Sequence, residues 1–147
     1  MNPGLFSANH ETWGTPQVVF DELDREFHFD LDPCPGEATL KADIRTLKDG
    51  LEDRWAPFNA AFVNPPYGRA IEKWVAKAVV AARNGRVVLL IPARTDTSWW
   101  HDLILPFAKE LRFIRGRLGF TGVTPKLEKG HTTLRSRAPF PSVVVVL

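Results

Sequence analysis

Residues 60–92 read AAFVNPPYGRAIEKWVAKAVVAARNGRVVLLIP, and their pattern decides the fold. The apolar run Ala60 to Val63 is cut off by Asn64-Pro65-Pro66-Tyr67-Gly68, where two prolines remove the amide donors a central strand needs. Ile71, Trp74, Val75, Ala78, Val79 and Ala82 then recur at helical spacing from Ala70 to Arg83, with Asn84-Gly85 predicted as the C-cap. Arg86 to Ile91 is a continuous Val/Leu/Ile run ending at Pro92, the pattern of a strand buried on both faces. Strand, loop, helix and strand make a βαβ unit, from which parallel sheets are built.

The flanks extend this reading. Thr15 is predicted as an N-cap with Pro16 at the first helical position, opening a helix that ends near Glu26. Phe27 to Asp32 alternates apolar and polar residues and stops at Pro33, which predicts a short strand; residues 37–59 read as mostly irregular. Thr97 or Ser98 starts a further helix through Phe107, interrupted by Pro106, before strands at Leu111 to Ile114 and Ser142 to Leu147. The expected architecture is α/β, a mostly parallel Rossmann-like sheet flanked by helices. It forms one domain over 1–147, with a flexible start at 1–12 and a mobile basic loop at 116–141.

Composition narrows the classes. A chain of 147 residues, 44% hydrophobic and 24% charged, reads as one globular domain rather than a disordered one. No apolar run approaches the roughly 18 residues a bilayer span needs. Cys34 is the single cysteine, so neither an internal disulfide nor a Cys-rich zinc site is expected. The first residues lack the basic and apolar regions of a signal peptide, which points to a reducing cytoplasm. Charge is unevenly placed: residues 1–63 carry 5 Lys/Arg and 12 Asp/Glu, a net −7, whereas 64–147 carry 14 and 5, a net +9. The second half therefore suits a polyanionic partner.

In an open α/β sheet, ligands sit beyond the carboxyl ends of the strands. Those positions hold Asp32-Pro33-Cys34-Pro35, Asn64-Pro65-Pro66-Tyr67 and Pro92-Ala93-Arg94-Thr95-Asp96. A purine's exocyclic amine is a poor nucleophile unless acceptors hold its hydrogens. The Asn64 side chain and the Pro65 carbonyl offer two such acceptors, stiffened by Pro65 and Pro66. Tyr67 offers an aromatic face to a base taken out of its stack. Arg94 suits a phosphate or a carboxylate, or else pairs with Asp96 to pin its loop. Of the adjacent Trp99 and Trp100, one is free to line a target pocket.

Asn64 to Tyr67 matches the motif of the S-adenosylmethionine-dependent amino-methyltransferases. The wider pattern adds Trp13-x-Thr15-Pro16, Leu31 to Cys34, Asp49-Gly50-Leu51, Ile91-Pro92-x-Arg94 to Thr97-x-Trp99, Gly116-Arg117-x-x-Phe120 and Pro141-Ser142. Over about residues 13–147 the chain resembles the phage-type DNA N6-adenine methyltransferases, the Dam-like family. The resemblance implies S-adenosylmethionine as cofactor and adenine in double-stranded DNA, flipped from the helix, as substrate. Catalysis falls to Asn64, Pro65, Pro66 and Tyr67, and cofactor binding to Thr15, Pro16, Asp32, Pro33 and Cys34. The usual glycine-rich loop after the first strand is reduced here to Gly36 alone. Asp49 either accepts from the cofactor's adenine amine or is a turn aspartate ahead of Gly50, and Asp32 is preferred to Asp30 for the ribose hydroxyls.

Residues 109–137 carry eight Lys/Arg against two Glu, so Arg117, Lys126, Lys129 and Arg135 are expected on DNA phosphates. Phe120 and His131 are expected to stack on or wedge between bases. So short a chain suits a short or relaxed recognition site, to which a homodimer or a partner subunit could add contacts, and no membrane partner is implied. Two rivals stand beside this reading: a methyltransferase acting on RNA or a protein glutamine, and a DNA- or cofactor-binding protein without turnover.

Overall fold

The computed structural model describes residues 13–36, 39–120 and 137–147. Its centre is the strand predicted over Arg86 to Ile91, which extends to Pro92 and is buried from Val87 onward. In chain order the elements are α1 (Gln17–Phe27), β1 (Leu31–Asp32), β2 (Arg45–Thr46), β3 (Ala60–Val63), α2 (Ile71–Ala81) and β4 (Arg86–Pro92). A π-helical turn (Trp100–Ile104), β5 (Glu110–Phe113) and β6 (Ser142–Val146) complete them. The six strands form one sheet in the order β2-β1-β3-β4-β6-β5. β1 to β4 pair in parallel, while β6 lies antiparallel between β4 and β5. The result is a mixed α/β fold with helices flanking the sheet. No helix among the described residues is long and apolar enough to cross a membrane.

Packing follows from the apolar runs. Phe20 of α1 meets Phe29 and Phe62 at centroid distances of 5.6 and 5.2 Å, and all three rings are about 1% exposed. Burying each stabilises the fold by about 1.5–3 kcal/mol. Arg112 of β5 bonds both Glu26 of α1 and Glu110 at 2.6 Å, tying that helix to the edge strand.

Four sequence expectations are corrected. The first helix begins at Gln17 with extended Pro16 at its cap position and no side-chain cap, because the Thr15 hydroxyl bonds Asn64 instead. The strand predicted from Phe27 shrinks to Leu31–Asp32: Phe27 completes the helix and His28 turns left-handed at φ 54°. α2 ends at Ala81 with right-handed Ala82 as its cap. Gly85 answers a steric demand instead, since a Cβ there would lie 2.7 Å from the Phe58 ring and carbonyl. Finally, the helix expected after Thr97 widens into a π turn, with the Leu105 amide donating to the Trp100 carbonyl at 3.0 Å just before Pro106. Thr97 does act as its cap, accepting from the Trp100 amide at 3.4 Å.

Candidate active site

β1 lies between β2 and β3, and the chain leaves it first to one side and then to the other. The crevice at the carboxyl ends of β1 and β3 is thus a topological switch point, where open α/β sheets take their ligands. Asp32 ends β1 and Asn64 follows β3 at that edge.

Asp32 is 3% exposed, and its Oδ1 accepts from the Cys34 amide at 3.0 Å. No other donor among the described residues reaches the carboxylate. Burial pushes its pKa up to about 6, against the lowering effect of the Cys34 amide. Burial, then the neighbouring Asp32 charge, pushes the Cys34 thiol up to about 12. Gly50 closes the loop from beneath: a Cβ there would fall 2.1 Å from the Pro33 carbonyl and 2.5 Å from the Trp74 ring. Asp49 is exposed beside it and receives the Leu51 and Glu52 amides on Oδ1, so the turn role is the one the structure displays. The Asp30 carboxylate is taken up by the Asn59 and Ala60 amides at the opposite end of β3.

Asn64 is held on both sides of its carboxamide. Nδ2 donates to the Trp13 carbonyl and, at 2.9 Å, to Thr15 Oγ1, while Oδ1 accepts from the Tyr67 hydroxyl at 2.8 Å. The Trp13 carbonyl can only accept, which fixes the amide's orientation. Tyr67 shares its one proton between Asn64 Oδ1 and the Leu90 carbonyl at 2.9 Å. Burial, and secondarily nearby Cys34, keeps that phenol well above the ordinary tyrosine range, so it stays protonated. Asn64 retains a second lone pair on Oδ1.

Beside this segment lies a cavity of about 570 Å³, lined by Trp13, Tyr67, Ile71, Pro92, Trp99 and Phe140 together with Gly68, Arg94, Thr97 and Pro139. That volume is within the range of small-molecule sites, roughly 300–1,000 Å³. The Phe140 ring stands edge-on to Tyr67 and Trp13 at 5.4 and 5.2 Å. Arg94 is exposed at the cavity with its guanidinium 5.6 Å from the Phe140 centroid. It makes no ion pair with Asp96, so the pinned-loop alternative is not what the structure displays.

The predicted residues are gathered unevenly. Thr15, Asn64 and Tyr67 are joined by hydrogen bonds, and Arg94 and Trp99 line the cavity. Pro16 stands at the cap position ahead of α1, and Pro65 and Pro66 continue from β3, without lining the cavity. Both Trp99 and Trp100 are buried, and of the two Trp99 is the one that lines the cavity. Arg117 is exposed beyond β5, which runs parallel to β4 and so ends at the same edge. Phe120 is 3% exposed and packed against the rings of Trp13, Tyr67 and Phe140, all three of which line the cavity. The ends of the loop expected to be mobile are joined by an Ala138 amide to Leu118 carbonyl bond of 2.9 Å. Lys126, Lys129, His131 and Arg135 lie outside the described residues, as does the segment 1–12.

Sequence reasoning passed over Phe140, Ile71 and Thr97 as cavity walls. The signal for Phe140 was an aromatic between two prolines just ahead of a strand, in a stretch that its polar neighbours made look like loop. Among the described residues no three His, Cys, Asp or Glu side chains gather to hold a metal ion. A family model described as DNA N-6-adenine-methyltransferase (Dam) matches residues 4–146. No curated protein matches the chain.

Proposed function

This chain belongs to the DNA N-6-adenine-methyltransferase (Dam) family, and from that membership we propose that it moves a methyl group from S-adenosylmethionine to N6 of an adenine flipped out of duplex DNA. The parallel strands with one antiparallel strand inserted near the edge support reading the fold as Rossmann-like. The buried Asp32 carboxylate, with one amide on one oxygen, fits a ligand that brings hydroxyl or ammonium donors, as S-adenosylmethionine does. Bound there, this cofactor supplies a methyl group already activated by its sulfonium.

The observation that carries the reading is the hydrogen-bonded set Trp13, Thr15, Asn64 and Tyr67 between the Asp32 crevice and an aromatic-walled cavity. Asn64 Oδ1, on its remaining lone pair, and the Pro65 carbonyl accept the two hydrogens of the target amine and raise electron density on its nitrogen. Tyr67 and Phe140 wall the base, and Arg94 holds a backbone phosphate at the mouth. No strong base is required, since the proton leaves to water after the new bond forms.

The test is transfer of label from S-adenosylmethionine to unmethylated duplex DNA, with structured RNA and protein as parallel acceptors, followed by nucleoside mass spectrometry. N6-methyladenine in the DNA, lost in Asn64→Ala by about 100-fold or more, is the expected result. Label in the RNA or protein lane alone would transfer the mechanism to a different substrate. Cofactor binding without transfer to any acceptor would favour a binding role.

A further inference from the structure

Ser142 opens β6 opposite Pro92 of β4 and is 1% exposed. Its hydroxyl oxygen is the one buried side-chain polar atom without a hydrogen-bond partner among the described residues. Buried hydroxyls are paired in the large majority of proteins, and an exception calls for a reason. Directly opposed residues in an antiparallel ladder carry their side chains on the same face. Pro92 lines the cavity, and Pro139 and Phe140, which line it too, lead straight into Ser142. The hydroxyl therefore lies on the Pro92 face of the sheet, next to the residues that line the cavity without lining it itself.

The hydroxyls that line the cavity are both committed, although the exposed Arg94 guanidinium at its mouth is not. The Tyr67 proton is shared between Asn64 and Leu90, and the Thr97 hydroxyl donates to the Arg94 carbonyl at 2.7 Å. A purine presents ring nitrogens that accept hydrogen bonds, so Ser142 is the uncommitted hydroxyl near the place where such a donor is wanted. We propose that Ser142 reads the target base, donating its hydroxyl to a ring nitrogen of adenine when entry of the base displaces the Phe140 ring. This rests on the methyl-transfer reading above and adds to it a specificity-determining residue.

The experiment is a cycle between enzyme and substrate. Wild type and Ser142→Ala are assayed on duplexes whose target is adenine or its 1-deaza, 3-deaza or 7-deaza analogue, each analogue lacking one acceptor nitrogen. One analogue is expected to lower wild-type kcat/KM by about five- to tenfold while leaving Ser142→Ala at its own adenine value. Free Ser142→Ala is also expected to melt about 2–4 °C higher, because an unpaired hydroxyl is gone. If every analogue lowers both enzymes by the same factor, or if Ser142→Ala melts lower, the proposal is overturned. Failure of the wild type on plain adenine duplex would instead refute the methyl-transfer reading, and this proposal with it.

Discussion

Replacing Asp32 with asparagine is expected to stabilise the fold at neutral pH and to leave it nearly unchanged at about pH 4. The carboxyl is 3% exposed, receives one amide hydrogen bond, and has its pKa lifted by burial from 3.8 to about 6. Below pH 3.8 the group is neutral in folded and unfolded chains alike and carries no penalty. Between 3.8 and about 6 the unfolded chain ionises first, so stability falls as pH rises, and above about 6 the whole penalty is present. At about 1.4 kcal/mol per pH unit, that interval amounts to about 3 kcal/mol. Asparagine has the same shape, keeps an acceptor for the Cys34 amide and bears no charge. Urea unfolding of wild type and Asp32→Asn at several values between about pH 4 and 8 reads the difference directly. It should grow from near zero to about 3 kcal/mol in favour of the variant. A gain that does not change with pH, or a loss at pH 8, would show the carboxylate to be satisfied in the folded chain and refute the reasoning. The same variant is expected to bind S-adenosylmethionine more weakly, since stability given up at a ligand site is commonly tied to function.

Thr15→Val removes one of the two acceptors that orient Asn64 and is expected to lower kcat by about three- to tenfold with KM for DNA unchanged. Thr15→Ser should restore the rate, and equal losses in both variants would contradict a positioning role for the hydroxyl. Gly50→Ala drives a methyl group into the Pro33 carbonyl and the Trp74 ring, neither of which yields without moving the Asp32 loop. A loss of about 3 kcal/mol is expected from its urea midpoint, and stability within about 0.5 kcal/mol of wild type would show that loop to be loose. Arg94→Ala should weaken DNA binding equally across sequences and reduce the slope of log affinity against log salt by about 1. An unchanged slope would take Arg94 off the phosphate backbone.

The βαβ unit at 60–92 was legible because everything that makes it is local. Apolar runs, helical spacing and paired prolines act within a few residues of one another, and the observed β3, α2 and β4 follow them closely. The motif from Asn64 to Tyr67 was visible for the same reason, as was the capping role of Thr97. The short strands β1 and β2 were harder to read, because two residues pairing across the sheet leave almost no periodicity to detect.

What the sequence by itself determined was the α/β class, the position of the polar loops after each buried strand and the chemistry those loops can offer. Tertiary structure alone decided which groups meet. Thr15 and Asn64 are 49 residues apart and share a hydrogen bond, which diverts Thr15 from capping its own helix. Phe120 and Phe140 pack around Tyr67 rather than standing in a basic surface loop, and Ser142, opposite Pro92, is left with an unpaired hydroxyl. The physical reason is that secondary structure responds to neighbours along the chain, whereas burial and hydrogen-bond pairing at a site are set by distant segments competing for the same small volume.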